Sequence, residues 1–224
     1  MRSIAHIAHI NVDLPGSLAA SVVTNNSFGA SELTRYLIRT SHPPKYKSDA
    51  HFIGGNKSDF NTTVRIRAFQ DVLWSELEHA PDSDQINTYG YGPGAAEKAT
   101  RAADGLVLLD SSTTHRQTEA ANTLFTNMFT AHPEIHGVMA ANDSMAVGVV
   151  KALEAAGRTD IPVVGFDNIP AVGPMFADGR MFATVDQFGQ QMAANAIDKA
   201  LQVLTGGPKL EGWIKTDVKL VTAN

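Results

Sequence analysis

Four short polar motifs carry the side chains in this sequence that are best suited to ligand binding. They are Arg65 in RIRAF, Asn142 in AANDS, Asp167 in VVGFDN and Gln187 in ATVDQ. Three of them come at or just beyond the end of an apolar segment typical of a β-strand. An arginine, an asparagine, an aspartate and a glutamine together supply the donors and acceptors that a ring of hydroxyl groups requires.

Composition narrows the chemistry that these motifs can perform. The 224 residues include no cysteine, which excludes disulfides and thiolate metal ligands. The net charge is -5 without a basic block, which argues against a nucleic-acid surface. No GxxxxGK[ST], GxSxG or HExxH motif is present to support an NTPase, an α/β-hydrolase or a zincin. We therefore predict reversible binding, with no catalysis, no cofactor and no metal.

Each motif alone also has a purely structural interpretation. Asp143 can cap the helix that follows it, with Asn142 as a turn residue beside it or as a ligand-binding residue. Asp167 can likewise be a turn residue at a strand end, and Gln187 is a weak signal by itself. Arg65 is less natural as a structural residue, because it lies near the start of a predicted helix, where the helix dipole disfavours a cation.

The surrounding elements explain why these residues could meet. Apolar runs predict strands at 4–12, 21–23, 51–54, 106–109, 138–141, 161–166, 181–185 and 218–222. Amphipathic spacing predicts helices at 29–38, 61–78, 115–131, 143–157 and 190–205. Alternating strands and helices indicate an α/β fold with parallel sheets and right-handed crossovers. In such sheets ligands bind beyond the carboxyl ends of the strands, where the four motifs are expected to converge.

The N-terminal segment reads as a strand ending at Asp13, and its single arginine and lack of an apolar core do not indicate a signal peptide. No apolar run is long enough to span a membrane. A second motif competes with the strand-end residues: residues 85–89, the loop GYGPGA and Asp110 imitate a dinucleotide fingerprint. The strand that would lead into this loop, residues 85–89, is polar, and Pro93 stiffens the loop, so we interpret the match as coincidental. An NAD-dependent oxidoreductase is kept as a second alternative.

Longer segments resemble a known family. TAHPEIHGVMAANDSMAVGVVKALEAAG, DIPVVGFDNIPA, GRMFATVDQFGQQMAANAIDKAL and VKLVT resemble the periplasmic sugar-binding proteins of ABC transporters. INVD, VVTNNSFGA and NTTVRIRAF look like further landmarks of the same ribose-type, type I periplasmic binding protein family. The resemblance implies the type I periplasmic-binding-protein fold, with two doubly wound parallel-sheet lobes joined by three hinge strands around a sugar.

The resemblance also implies roles for individual residues. The implied sugar-binding residues are Asp13, Arg65, Asn142, Asp167 and Gln187, with Asp13 contributing from the first lobe. Arg116 falls near a position where the family often has a stacking aromatic ring, so a guanidinium face would replace the ring. Leu14 stands where ribose binders carry an arginine, which makes another pentose, a sugar alcohol or another polyol as plausible as ribose.

The resemblance further implies an N-terminally truncated chain with an incomplete first lobe, since the sequence enters at the fourth strand of that lobe. Residues 1–45 and 188–212 are predicted to be the remnant of the N-terminal lobe. Residues 46–187 and 213–224 are predicted to form the C-terminal sugar-binding lobe. An incomplete lobe would leave strand edges and apolar surface exposed, which favours self-association.

The function predicted from these observations is the solute-binding subunit of an ABC importer. The expected ligand is a monosaccharide or polyol, the expected partner is the transporter's permease, and the expected location is the periplasm. Neither nucleic-acid binding nor direct insertion into a membrane is expected. The alternative is the effector-binding core of a lactose-repressor-family regulator, which shares the fold.

Overall fold

The computed structural model describes residues 20–41, 50–53, 60–76, 107–109, 118–131, 133, 135, 137–208, 210 and 212–223. Its strands are β1 (Ala20–Thr24), β2 (Ala50–Ile53), β3 (Val107–Leu109), β4 (Gly137–Ala140), β5 (Val163–Val164), β6 (Ala183–Asp186), β7 (Gly212–Thr216) and β8 (Lys219–Thr222). Its helices are α1 (Asn26–Ser41), α2 (Phe60–Glu76), α3 (Thr118–Ala131), α4 (Asp143–Ala155), α5 (Gly173–Ala177) and α6 (Gly189–Leu204). A 3-10 turn, Pro170–Val172, precedes α5.

Six of the strands form one sheet in the order β3-β2-β4-β5-β6-β8. Every pairing in it is parallel except the last, in which β8 runs antiparallel to β6. The predicted α/β class with a parallel sheet is confirmed. The central strands β4 and β5 are buried along their whole length, as expected for parallel strands covered by helices on both faces.

Helices α1 to α5 pack with this sheet and complete its core. The six strands and these five helices are together called the six-stranded region. The pair α1 and α2 and the pair α3 and α4 make extensive contacts. The largest fully buried apolar side chains of this core are Phe69, Phe125, Phe166, Leu33, Leu37, Ile135, Met139, Met145 and Met181. Gly148 lets α3 and α4 approach closely, because a Cβ there would lie 2.3 Å from the Thr118 carbonyl oxygen.

The remaining strands form a second, smaller unit. β1 and β7 pair in parallel, and α6 packs against β1; these three elements are called the two-stranded region. Its apolar cluster consists of Val22, Met192 and Ala196, with Ile214 partly buried against them, and Val23 on β1 is buried as well. The other side of α6 leaves Ile197, Leu201 and Leu204 exposed to solvent, and Trp213 on β7 is exposed as well.

Three local expectations are wrong. No strand was predicted at 212–216, but β7 forms there and carries the exposed Trp213. Asp143 does not cap α4, because Asn142 holds the N-cap position. Helix α2 begins at Phe60, one residue before the start predicted for it, and ends at Glu76, two residues before the predicted end.

The lobe boundaries remain a prediction, and two elements bear on where they fall. Helix α1, predicted in the N-terminal lobe, packs on the six-stranded sheet through Ala30, Leu33 and Leu37. Strand β7, most of which was predicted in the C-terminal lobe, pairs with β1. Among the helices that the structure describes, none combines the length and the apolar character needed to cross a bilayer.

Candidate functional site

Polar residues gather where several strands of the parallel sheet end. Ala141 and Asn142 follow β4, Asp167 follows β5, and Gln187 follows β6. Arg65 reaches the same edge from α2, since it donates to the carbonyl oxygen of Ala141. The sheet edge at which we expected ligand-binding residues therefore carries predicted polar side chains.

Arg65 is held rigidly at this edge. Only 2% of its side chain is exposed. Its Nε donates to Asn26 Oδ1 at 2.8 Å, and its Nη1 donates to the Ala141 carbonyl oxygen at 2.6 Å. The guanidinium carbon lies 3.6 Å from the centroid of the Phe166 ring, which adds a cation–π contact. Arg65 is thus a fixed positive charge beside Phe166, the residue that precedes Asp167.

Asp167 connects this charge to Gln187. The Arg65 Nη1 lies 3.6 Å from Asp167 Oδ1, and Gln187 Nε2 donates to the same oxygen at 3.0 Å. About a quarter of the Asp167 side chain is exposed, so its carboxylate can also be reached from solvent. Thr24 Oγ1, at the end of β1, donates to Gln187 Oε1 at 2.8 Å. This chain of contacts runs from the six-stranded region into the two-stranded region.

Asn142 has a structural task as well as its place at the sheet edge. Its Oδ1 accepts from the Met145 backbone N–H at 2.9 Å and so caps α4. The two amide hydrogens of the side chain take no part in this cap. Asn142 is also the neighbour in the chain of Ala141, which accepts from Arg65. The structure therefore brings Arg65, Asp167 and Gln187 into contact and places Asn142 beside them.

Asp143 is a buried carboxylate close to this cluster, since its charge interacts with that of Asp167. It is completely buried, and its oxygens accept from Thr184 Oγ1 at 2.7 Å and from the Ile169 backbone N–H at 3.0 Å. The pKa of Asp143 is raised to about 6, mainly because burial desolvates the carboxylate; the Asp167 charge also raises it, and the hydrogen bonds from Thr184 and Ile169 partly offset the rise.

Three residues of the cluster were not predicted to belong to the site. Asn26 accepts from Arg65 and donates to Asn61 Oδ1 at 2.7 Å, and Thr24 bonds Gln187. Thr24, Asn26 and Asn61 are all buried. Thr24 and Asn26 follow the predicted strand at 21–23, so the strand-end rule that selected Asp167 would have selected them too.

Several predicted features lie outside the residues that the structure describes. These are Asp13 and Arg116 among the candidate sugar-binding residues, and residues 85–95 with Asp110 of the dinucleotide-like motif. Within the described ranges, no group of three or more His, Cys, Asp or Glu side chains is arranged to hold a metal ion.

The described cluster has the chemistry of a binding site for hydroxyl groups. The Asp167 carboxylate can accept hydrogen bonds from hydroxyls in charge-assisted geometry. The Gln187 side chain and the Asn142 amide provide both donor and acceptor groups. The buried Arg65 fixes the carboxylate's orientation and balances its charge.

Residues 5–208 of the chain match a family model described as a periplasmic binding protein domain. The chain is 39% identical over 133 residues to the D-ribose/D-allose-binding protein of Pseudomonas aeruginosa, covering 58% of this chain and 42% of that protein. It is 41% identical over 95 residues to the ribose import binding protein RbsB of Escherichia coli, covering 42% of this chain and 32% of that protein. The chain thus spans less than half the length of these curated relatives.

Solved structures show the same architecture. An ABC transporter periplasmic solute-binding protein from Actinobacillus succinogenes, solved with bound D-allose, superposes with a TM-score of 0.74 at 24% identity. That superposition covers 96% of this chain and 68% of the other protein. The type I periplasmic-binding-protein fold expected from the sequence is confirmed, with the described residues accounting for part of it.

Proposed function

This chain belongs to the periplasmic binding protein family, and we propose that it is the solute-binding part of an ABC importer that captures a sugar or polyol. The observation that carries the proposal is the contact of Arg65, Asp167 and Gln187 at the carboxyl edge of the parallel sheet. Sugar hydroxyls are the ligands that such a mixed set of fixed donors and acceptors suits.

The Asp167 carboxylate is the proposed centre of recognition. It is partly exposed, whereas the Arg65 guanidinium behind it is buried and already engaged with Asn26 and Ala141. A hydroxyl that donates to Asp167 gains a charge-assisted hydrogen bond of about 1.5–3 kcal/mol. Asn142 is the proposed second partner, through the amide hydrogens that the helix cap leaves available.

The proposed ligand class is a monosaccharide or a sugar alcohol of similar size. Relatives of this chain carry the names D-ribose/D-allose-binding protein, D-apiose import binding protein and xylitol-binding protein. These names share a small polyhydroxylated solute without a net charge. Asp13 and Arg116 are proposed as further ligand contacts, in line with the family resemblance of their segments.

The proposed mechanism is reversible closure of two parts of the protein around the solute, without catalysis. The hydrogen bond from Thr24 to Gln187 supports it, because Gln187 bonds Asp167 in the site and Thr24 at the end of the two-stranded region. A ligand that binds Asp167 and Gln187 would favour one relative position of the two regions. In the periplasm, the closed form would then deliver the solute to the permease of the transporter.

Titration calorimetry with D-ribose, D-allose, D-apiose and xylitol tests this proposal. We expect at least one of these solutes to bind, and Asp167→Asn to weaken that binding by about 10- to 100-fold through loss of charge-assisted hydrogen bonds. Asparagine has nearly the same shape as aspartate and occurs at positive φ about as readily, so we expect this substitution to add little backbone strain at a φ of 114°.

Asp160→Asn is the matched control, since Asp160 is an exposed carboxylate paired with Arg158 far from the cluster. It should bind with wild-type affinity. If the folded wild-type chain binds none of these solutes, or if Asp167→Asn binds as tightly as Asp160→Asn, the proposed site is wrong.

A further inference from the structure

The segment that carries Asp167 has an unusual backbone. Asp167 has a φ of 114° and the next residue, Asn168, a φ of 54°. Both values lie in the region that side chains other than glycine rarely adopt, and such conformations cost about 1–3 kcal/mol each. Two consecutive residues of this kind persist only where surrounding contacts hold them in place.

Asp143 and Thr184 supply part of those contacts, beside the bond from the Asp167 N–H to the Val185 carbonyl oxygen at 2.9 Å and the bond from Asn168 Nδ2 to Asp186 Oδ2 at 3.0 Å. Asp143 Oδ2 accepts from the Ile169 N–H at 3.0 Å, and Thr184 Oγ1 accepts from the Asn168 N–H at 3.3 Å. The Thr184 hydroxyl in turn donates to Asp143 Oδ1 at 2.7 Å. The pair therefore binds the backbone immediately after Asp167 through two adjacent amides.

Asp143 also contacts the chain before Asp167, through its backbone N–H and through the close approach of its carboxylate. The Asp143 backbone N–H donates to the Phe166 carbonyl oxygen at 2.7 Å. A Cβ on Gly165 would lie 2.3 Å from Asp143 Oδ1, so the close approach requires glycine there. Asp143 is thus in contact with the residues on both sides of Asp167.

Capping of α4 does not explain why a carboxylate is buried at this position. Asn142 already caps that helix through its Oδ1, and the Asp143 oxygens point to Thr184 and Ile169 instead. Burial of a carboxylate is unfavourable, and the charge of Asp167 acts on Asp143 across the same segment. Because burial and the Asp167 charge both disfavour an ionised carboxylate here, we infer that Asp143 has a role outside its own helix.

We propose that Asp143 and Thr184 are positioning residues for the solute site: they hold Asp167 and Asn168 at positive φ and so aim the Asp167 carboxylate. The effect on solute affinity rests on the proposed function. The effect on the backbone of residues 167–169 does not, so the two can be tested separately.

Two substitutions of Thr184 distinguish positioning from packing. Thr184→Val keeps the shape of this fully buried side chain and removes the hydroxyl, while Thr184→Ser keeps the hydroxyl and removes a methyl group. If Thr184 only fills space, serine is the more damaging change. If it positions the segment, valine is the more damaging change, because Asn168 and Asp143 lose their partner.

The first readout is hydrogen exchange at the Asn168 and Ile169 amides in the ligand-free protein. We expect exchange to be at least tenfold faster in Thr184→Val than in the wild type and within about threefold in Thr184→Ser. The second is the Kd for D-allose and D-ribose, expected to rise about tenfold in Thr184→Val only. Equal exchange in the two variants, or faster exchange in Thr184→Ser, would overturn the proposal.

A measurement on the wild-type protein tests the proposal even if a variant fails to fold. The amide chemical shifts of Asn168 and Ile169 should follow the titration of Asp143, with a midpoint near pH 6. Asp143→Asn should abolish this step. Shifts that do not titrate in the wild type would refute the positioning role. Absence of sugar binding with the expected exchange and titration would count against the proposed function alone.

Discussion

The six-stranded and two-stranded regions differ in how much of their apolar surface they bury. The six-stranded region encloses Phe69, Phe125 and Phe166 completely and has helices packed with its sheet. The two-stranded region buries Val22, Met192 and Ala196, while the opposite side of α6 faces solvent. Two strands and one helix give little stability by themselves. The stability of the described fold therefore resides in the six-stranded region, and the two-stranded region depends on it.

The join between the regions is polar and coincides with the proposed site. Thr24 bonds Gln187 across it, and Asn25 donates to the Thr216 carbonyl oxygen at 3.2 Å. Gln187 contacts Asp167, which belongs to the six-stranded region. A site placed there can sense the relative position of a stable region and a less stable one.

The largest expected effect is on the core of the six-stranded region. Phe125→Ala should lower the free energy of unfolding by about 3–5 kcal/mol, because it leaves a cavity where the ring is fully buried and stacked on Phe129 at 5.8 Å. Urea denaturation measures this loss. Phe28→Ala is the matched control, since Phe28 is exposed on α1 and its loss should cost less than about 1 kcal/mol. Equal losses at the two positions would contradict the difference between core and surface.

A second effect, of about 3 kcal/mol, is expected from the pH dependence of stability. The unfolded chain releases the Asp143 proton near pH 3.8, whereas burial holds it to a pKa of about 6 in the folded protein. The folded protein binds more protons between these values, so the free energy of unfolding falls as pH rises through this window. Asp143→Asn lacks this step. Urea denaturation from pH 4 to pH 7 should show the variant gaining most of this, about 2–3 kcal/mol, relative to the wild type. A constant difference across that range would show that Asp143 titrates normally.

The smallest expected effect sharpens the comparison within α6. Leu201→Ala, on the exposed side of the helix, should change the free energy of unfolding by less than about 0.5 kcal/mol. Met192→Ala, on the buried side of the same helix, should cost about 2–5 kcal/mol. Urea denaturation of both variants measures these two changes in the free energy of unfolding. A loss of 2 kcal/mol or more at Leu201 would mean that this side of α6 is covered in solution.

Periodicity and the strand-end rule predicted much of this molecule. The spacing of Ala121, Phe125 and Met128 predicted α3 and its buried side, and the apolar run at 161–166 contained β5. The strand-end rule selected Asp167 and Gln187, which the structure brings into contact. These features depend on local sequence and on a general property of parallel sheets.

The features that were missed depend on contacts between distant residues. Strand β7 has no clear alternation, and its partner β1 lies nearly the whole chain away. Asn142 caps α4, whereas the Asp143 carboxylate accepts from Thr184, which lies 41 residues further along the chain. Both residues are good caps by type, so local sequence could not separate them.

The stacking of Arg65 on Phe166 has an entropic consequence for any solute that arrives. An arginine that becomes fixed on binding loses about 2 kcal/mol of rotamer freedom. Here the loss has already occurred in the folded protein, because the guanidinium is held by Asn26, Ala141 and the aromatic ring. Recognition at Asp167 then starts from a rigid neighbour. Any change that loosens the Phe166 ring is expected to weaken affinity without touching the solute.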